Sequence, residues 1–277
     1  MNKPIPAGGA ALSGPIPLGH DRHCAEIVTQ TDQLRAAVAG ADLAAPVPSC
    51  PEWNLAQLLR HVGHGHRWAE TIVRTRASAP PPDTALRDLP ADVPQDPAEL
   101  DVWLADGARR LAETLREAGP HARTWVPVET ETSGFWARRF AHETLVHRAD
   151  ATLAAGREFT AGQEVAVDAL DEWMELASLP QMLDVNPRQR ELLGPGRTIR
   201  LHATDAGVQA GAEWVVDLTG DAVVCRRGRE RAAVALHGPL TALLLVVYRR
   251  RPARGGGVEI LGDEWLLDFW LDRIGFG

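Results

Sequence analysis

The spacing of apolar positions changes character along this 277-residue chain, and the change divides it. From Asp21 to Ala39, His23, Ile27, Leu34 and Val38 fall on one helical face, and Gly40 stands where such a helix would stop. The run from Pro46 to Pro51 is a rigid turn that cannot continue it. Asn54 then caps a second helix, whose apolar positions Leu55, Leu58, Leu59, Val62 and Trp68 lead toward Thr75. Ala79 to Pro97 reads as a loop. Pro97 takes the first position of a third helix that carries Leu100, Trp103, Leu104, Leu111 and Leu115 and ends at Gly119-Pro120. After an extended polar stretch from Trp125 to Ser133, the positions of Phe135, Phe140, Leu145, Val146 and Leu153 predict a fourth helix over Gly134–Ala155. A fifth runs from Glu164 to Leu179, and Pro180 to Pro195 reads as a linker.

Beyond the linker the period drops to two. Ile199, Leu201 and Ala203 alternate with Arg200, His202 and Thr204, and Trp214, Val216 and Leu218 with Val215 and Asp217, as half-buried strands do. Ala222–Arg226 and Val258–Leu261 add two shorter strands, with helices expected at Leu240–Tyr248 and Glu264–Ile274. The predicted class is α+β: a disordered lead-in over residues 1–20, a helical bundle over 21–182 and a small α+β domain over 196–277.

Composition narrows the partners. The apolar run Leu236 to Tyr248 is interrupted by His237, Gly238 and Pro239 and falls short of the ~20 residues that cross a bilayer, so no membrane span is expected. Lysine plus arginine total 29 against 37 acidic residues, a formal charge of -8, and the short basic runs Arg226–Arg231 and Arg249–Arg254 lack interleaved aromatics. A nucleic-acid partner is therefore not expected. Cys24, Cys50 and Cys225 form neither a CxxC pair nor an even framework, which fits a reducing cytoplasm. Lys3 is the only lysine, and the abundant Ala and Arg fit a GC-rich bacterial genome.

The candidate chemistry lies in the histidines. In the fourth predicted helix, Glu143 and His147 are four residues apart, project from one face, and can share a metal ion or a proton. His142 points roughly a quarter turn away. The two histidines of this run stand five apart instead of the four of an HExxH protease motif, so the protease geometry fails. A third ligand must come from another element. His61, among the core-facing residues of the second helix, is the best placed, and His64 is its competitor. Two imidazoles and a carboxylate hold zinc with one position open, the arrangement of catalytic sites, and bundle interiors can host it. Against this stand two plainer readings: a core histidine hydrogen-bonded to a carbonyl, and a surface Glu-His pair worth a few tenths of a kcal/mol. His66 lies about 140° around the helix from His61 and reads as solvated or supporting. Trp53 and Trp68 read as core packing, and Cys50 as an ordinary loop thiol.

These residues also carry a resemblance. Cys50-Pro51-Glu52-Trp53-Asn54, Leu58-Leu59-Arg60-His61 and His66-Arg67-Trp68-Ala69, followed by Trp136 through Thr144 and His147-Arg148-Ala149-Asp150, resemble the two signatures of the mycothiol-dependent maleylpyruvate isomerase family. The resemblance implies a DinB-like four-helix bundle followed by a small α/β domain of sterol-carrier-like type. It implies one divalent metal, usually zinc, on His61, Glu143 and His147, and mycothiol, a thiol of actinobacteria, as cosubstrate. In the reaction so implied, the thiolate adds to a double bond conjugated with a carbonyl, the resulting single bond rotates, and expulsion of the thiolate leaves the trans isomer. Arg250 matches a family arginine and is the candidate catalytic residue for the substrate carboxylate. Here Tyr248-Arg249 replaces the usual Trp-Gly pair before it, and a helix-terminal charge explains Arg250 equally.

The leading expectation is thus a thiol-dependent isomerase acting on a small molecule, as a cytoplasmic monomer or homodimer. The alternatives are a small-thiol S-transferase, which shares the first half of the chemistry, and a non-catalytic metal-binding regulatory module. Metal-dependent hydrolysis with Glu143 as base is disfavoured if Glu143 is itself a ligand.

Overall fold

The computed structural model describes residues 18–80, 93–128, 132–207 and 211–274, which form two compact units divided after Thr160. The expected lead-in lies outside the described residues as far as residue 17. The first unit contains α1 (His20–Val38), α2 (Leu55–Arg74), α3 (Pro97–Ala118) and α4 (Ser133–Ala154). Their starts follow from local chemistry. Asn54 and Gln57 form a reciprocal capping box at α2, with both bonds at 2.9 Å. At α3, Pro97 stands in the first turn and the Asp96 carboxylate accepts from the amides of Ala98 and Glu99. α1 packs on α4 and α3, and α2 on α3 and α4. The shared interior splits into two apolar clusters: Ile27, Ile72, Leu111, Leu115 and Trp136 in one, and Leu34, Leu55, Leu58, Leu100 and Leu104 in the other.

The second unit begins with α5 (Gln163–Ala177), a short turn α6 (Met182–Val185) and a 3-10 turn over Pro187–Leu192. Five strands follow: β1 (Thr198–Ala203), β2 (Glu213–Asp217), β3 (Val224–Arg227), β4 (Val234–Gly238) and β5 (Glu259–Gly262), with α7 (Leu240–Val247) and α8 (Glu264–Leu271). The sheet order is β3-β2-β1-β4-β5, antiparallel except for β1 beside β4, where Leu201 pairs with Leu236. Ile199, Leu201, Trp214, Val216, Val234 and Leu236 form its buried face. The class is the expected α+β, a helical region followed by a mixed sheet with helices.

Three details differ from the expectation. α5, expected at the end of the bundle, lies in the second unit, where Asp171 accepts from the Trp214 indole at 2.8 Å and pairs with Arg227 at 2.6 Å, and the Tyr248 hydroxyl donates to the Ala169 carbonyl. The stretch expected as a linker is folded, with Gln189 and Leu192 buried. β4 was not expected; its partners are β1 and β5. Among the described residues no helix is long and apolar enough to cross a membrane.

Candidate metal centre

α2 and α4 bring together the three side chains singled out in the sequence. One ligand atom each from His61, Glu143 and His147 lie within 4.8 Å of one another. The His147 Nε2 is 3.1 Å from Glu143 Oε1, and the His61 and His147 rings meet edge to face with centroids 5.1 Å apart. His64, the competitor, is buried and is not part of this cluster. His142 turns away as its quarter-turn offset requires, and its ring meets His23 of α1 at 5.8 Å. His66 is fully buried, with Nε2 2.9 Å from the Thr144 hydroxyl, so it supports the wall beside the cluster and is not solvated.

Asp150, fully buried one turn after His147, accepts from His147 Nδ1 at 2.9 Å and from the Ser49 hydroxyl at 2.6 Å. The Cys50 thiol approaches the same oxygen as His147, Asp150 Oδ2, at 4.0 Å. The loop before α2, read as a plain turn, therefore anchors the group that orients His147. Trp53, expected in the core, packs on the His61 ring with centroids 4.6 Å apart and the ring planes tilted by 50°. Arg139, one turn before Glu143, pairs with its carboxylate at 3.3 Å. The Asp150 signal was available as the i,i+3 relation to His147. Nothing in the local pattern marked Ser49, and Trp53 stood in the first signature with no role beyond core packing.

Electrostatics follow from this packing. Burial, reinforced by the neighbouring charge of His147, pushes the His61 imidazole down to about 4. Burial also acts to lower His147, but its bonds to the Asp150 and Glu143 carboxylates carry it up to about 9. Desolvation acts to raise Glu143, yet His147 and Arg139 hold the carboxyl far below the usual carboxylate range. Burial pushes His66 down to about 3.

The donor set fits a divalent cation. Two imidazoles and a carboxylate converge from two helices, and the bond from His147 Nδ1 to Asp150 leaves Nε2 facing the cluster, the carboxylate-histidine pairing that orients metal ligands. Beside the cluster is a cavity of about 240 Å³ whose lining includes Trp68, Phe135, Trp136, Phe140 and Arg139.

Residues 24–152 match the family model described as the mycothiol maleylpyruvate isomerase N-terminal domain. The match falls within the helical unit. Its matched span contains His61, Glu143, His147 and Asp150. A crystal structure of the mycothiol-dependent maleylpyruvate isomerase superposes with a TM-score of 0.58 at 13% identity, covering 88% of this chain and 93% of that one. A histidine-to-alanine mutant of that isomerase gives 0.56 at 12%, with the same coverage. At these identities the structures establish the fold, which extends beyond the N-terminal domain into the sheet-bearing unit. No curated protein sequence matches the chain significantly. Arg250 lies in the second unit, where its Nη1 donates to the Tyr248 carbonyl at 2.8 Å, directly after Arg249 in the left-handed region at φ 60°.

Proposed function

We propose that the chain is a thiol-dependent metalloenzyme of the maleylpyruvate isomerase type. In this reading His61, Glu143 and His147 hold one divalent cation, zinc foremost, and mycothiol is the cosubstrate. The observation that carries it is the convergence of those three ligand atoms from α2 and α4 within the matched domain.

A divalent cation there supplies the positive charge that favours the deprotonated form of a thiol near neutral pH. The protein's own groups do the rest. Asp150 keeps the Nδ1 proton of His147 and so presents the Nε2 lone pair to the cluster. Glu143 contributes a carboxylate that stays ionised across the working range. Trp53 covers His61, and the Trp and Phe side chains of the cavity keep water from the electrophile. Arg250 is the proposed partner of a second carboxylate where the substrate, like maleylpyruvate, carries two.

Incubating the metal-loaded protein with mycothiol and maleylpyruvate tests the reading. Formation of the trans isomer without net loss of thiol supports the isomerase. A stable conjugate without isomer rejects it in favour of thiol transfer, and the absence of any thiol-dependent reaction with either maleylpyruvate or other electrophiles rejects both.

A further inference from the structure

The cavity beside the cluster has a lining that metal binding alone does not require. Besides the three candidate ligands, it is walled by Trp68, Phe135, Trp136 and Phe140. The Trp136 ring is fixed edge-on to Trp68 and Phe135, at 5.3 and 5.1 Å, and its indole N–H is donated to the Trp125 carbonyl. It therefore offers the cavity an apolar surface. The polar wall groups His66 and Thr144 serve each other: the Thr144 hydroxyl donates to the Phe140 carbonyl at 2.7 Å and takes the contact from His66 Nε2. Among the described lining residues the permanent cation is Arg139, one helical turn from Glu143.

A small dicarboxylate would leave this aromatic wall without a partner. A ligand with an apolar ring would cover it while a carboxylate meets the planar fork of the guanidinium. A volume of about 240 Å³ is smaller than the ~300–1,000 Å³ of drug-sized sites, which leaves room for one ring and a short chain. We propose that the cavity takes an electrophile with a single-ring apolar body and a carboxylate, and that Arg139 is the residue that binds the carboxylate. The inference rests on the thiol-dependent reading for its reaction, but not for its binding chemistry.

Calorimetric titration of the full-length, metal-loaded protein tests it with benzoylpropionate, which is saturated and unreactive, its methyl ester, and succinate. The acid binds at least about tenfold more tightly than the ester, the worth of a charge-assisted contact, and at least about tenfold more tightly than succinate, which leaves the aromatic wall uncovered. Arg139→Met, compared at equal metal loading, removes the difference between acid and ester and leaves the ester within roughly twofold; Arg139→Lys restores part of the difference. Equal binding of acid and ester, tighter binding of succinate, no binding at all, or an equal loss for acid and ester in Arg139→Met overturns the proposal. The last result would make Arg139 only a support for Glu143. Mycothiol-dependent conversion of cis-benzoylacrylate separates the two levels: the binding pattern without turnover retains the pocket and rejects its thiol chemistry, whereas turnover of maleylpyruvate without aryl-acid binding does the reverse.

Discussion

Asp150 decides which nitrogen of His147 faces Glu143 and His61, because its buried carboxylate accepts the hydrogen bond from Nδ1–H. Replacing it by Asn keeps the shape and removes the charge. Asp150→Asn is expected to lower metal affinity about 10–100-fold, measured by chelator competition, with the far-ultraviolet circular dichroism unchanged. The same geometry sets a pH dependence. In the metal-free protein His147 stays protonated up to about 9, while His61, pushed down to about 4, is already neutral at pH 6, and Glu143 is ionised. Metal must therefore displace one proton, that of His147, so affinity rises about tenfold per pH unit between pH 6 and 8 and levels off near 9. Proton release measured in buffers of different ionisation enthalpy checks this, and a flat profile would contradict it. Glu143 and His147 were legible as a pair because i,i+4 spacing on one helix is nearly geometry already, whereas His61 lies on another helix and was settled over its competitor His64 by the resemblance. The roles of Ser49 and Trp53 were not legible, since they depend on how the loop before α2 folds back.

At the scale of elements, the position of His61 depends on how closely α2 approaches α3. A Cβ on Gly63 would lie 2.1 Å from the Trp103 ring, and the Arg67 guanidinium stacks on that ring at 3.9 Å. Ala is the better helix former by about 1 kcal/mol, yet Gly63→Ala is expected to destabilise by about 1–3 kcal/mol in urea unfolding, because the Trp103 ring must give up its place and its contact with Arg67. Trp103→Leu in the same chain should recover part of that loss. A neutral or stabilising Gly63→Ala would show the contact to be softer than the packing implies. Helix ends marked by Asn54, Pro97 and Gly119 were readable because the capping chemistry is local. β4 was not, since Ala235 breaks the apolar-polar alternation of Val234, Leu236 and His237, and the strand exists through its pairing with β1 and β5.

For the whole molecule, the division after Thr160 places all three candidate ligands, Asp150 and Arg139 in the first unit and Arg250 in the second. The class and the order of helices and sheet could be read from the change in period. The membership of α5 could not, because it is fixed by long-range bonds from Trp214, Arg227 and Tyr248 that no local pattern records. If Arg250 binds substrate, Arg250→Ala keeps its metal and loses about 10–100-fold in kcat/KM, as expected for removing one charge-assisted contact. Unchanged kcat/KM would leave it a helix-terminal charge. The central claim is most directly tested by the metal content of the dialysed protein, measured by mass spectrometry beside His61→Ala and Glu143→Ala. About one divalent ion per chain is expected in the parent, and close to none in either variant that remains folded. Metal-free parent protein that takes up no zinc on reconstitution, or full retention in both variants, would contradict it.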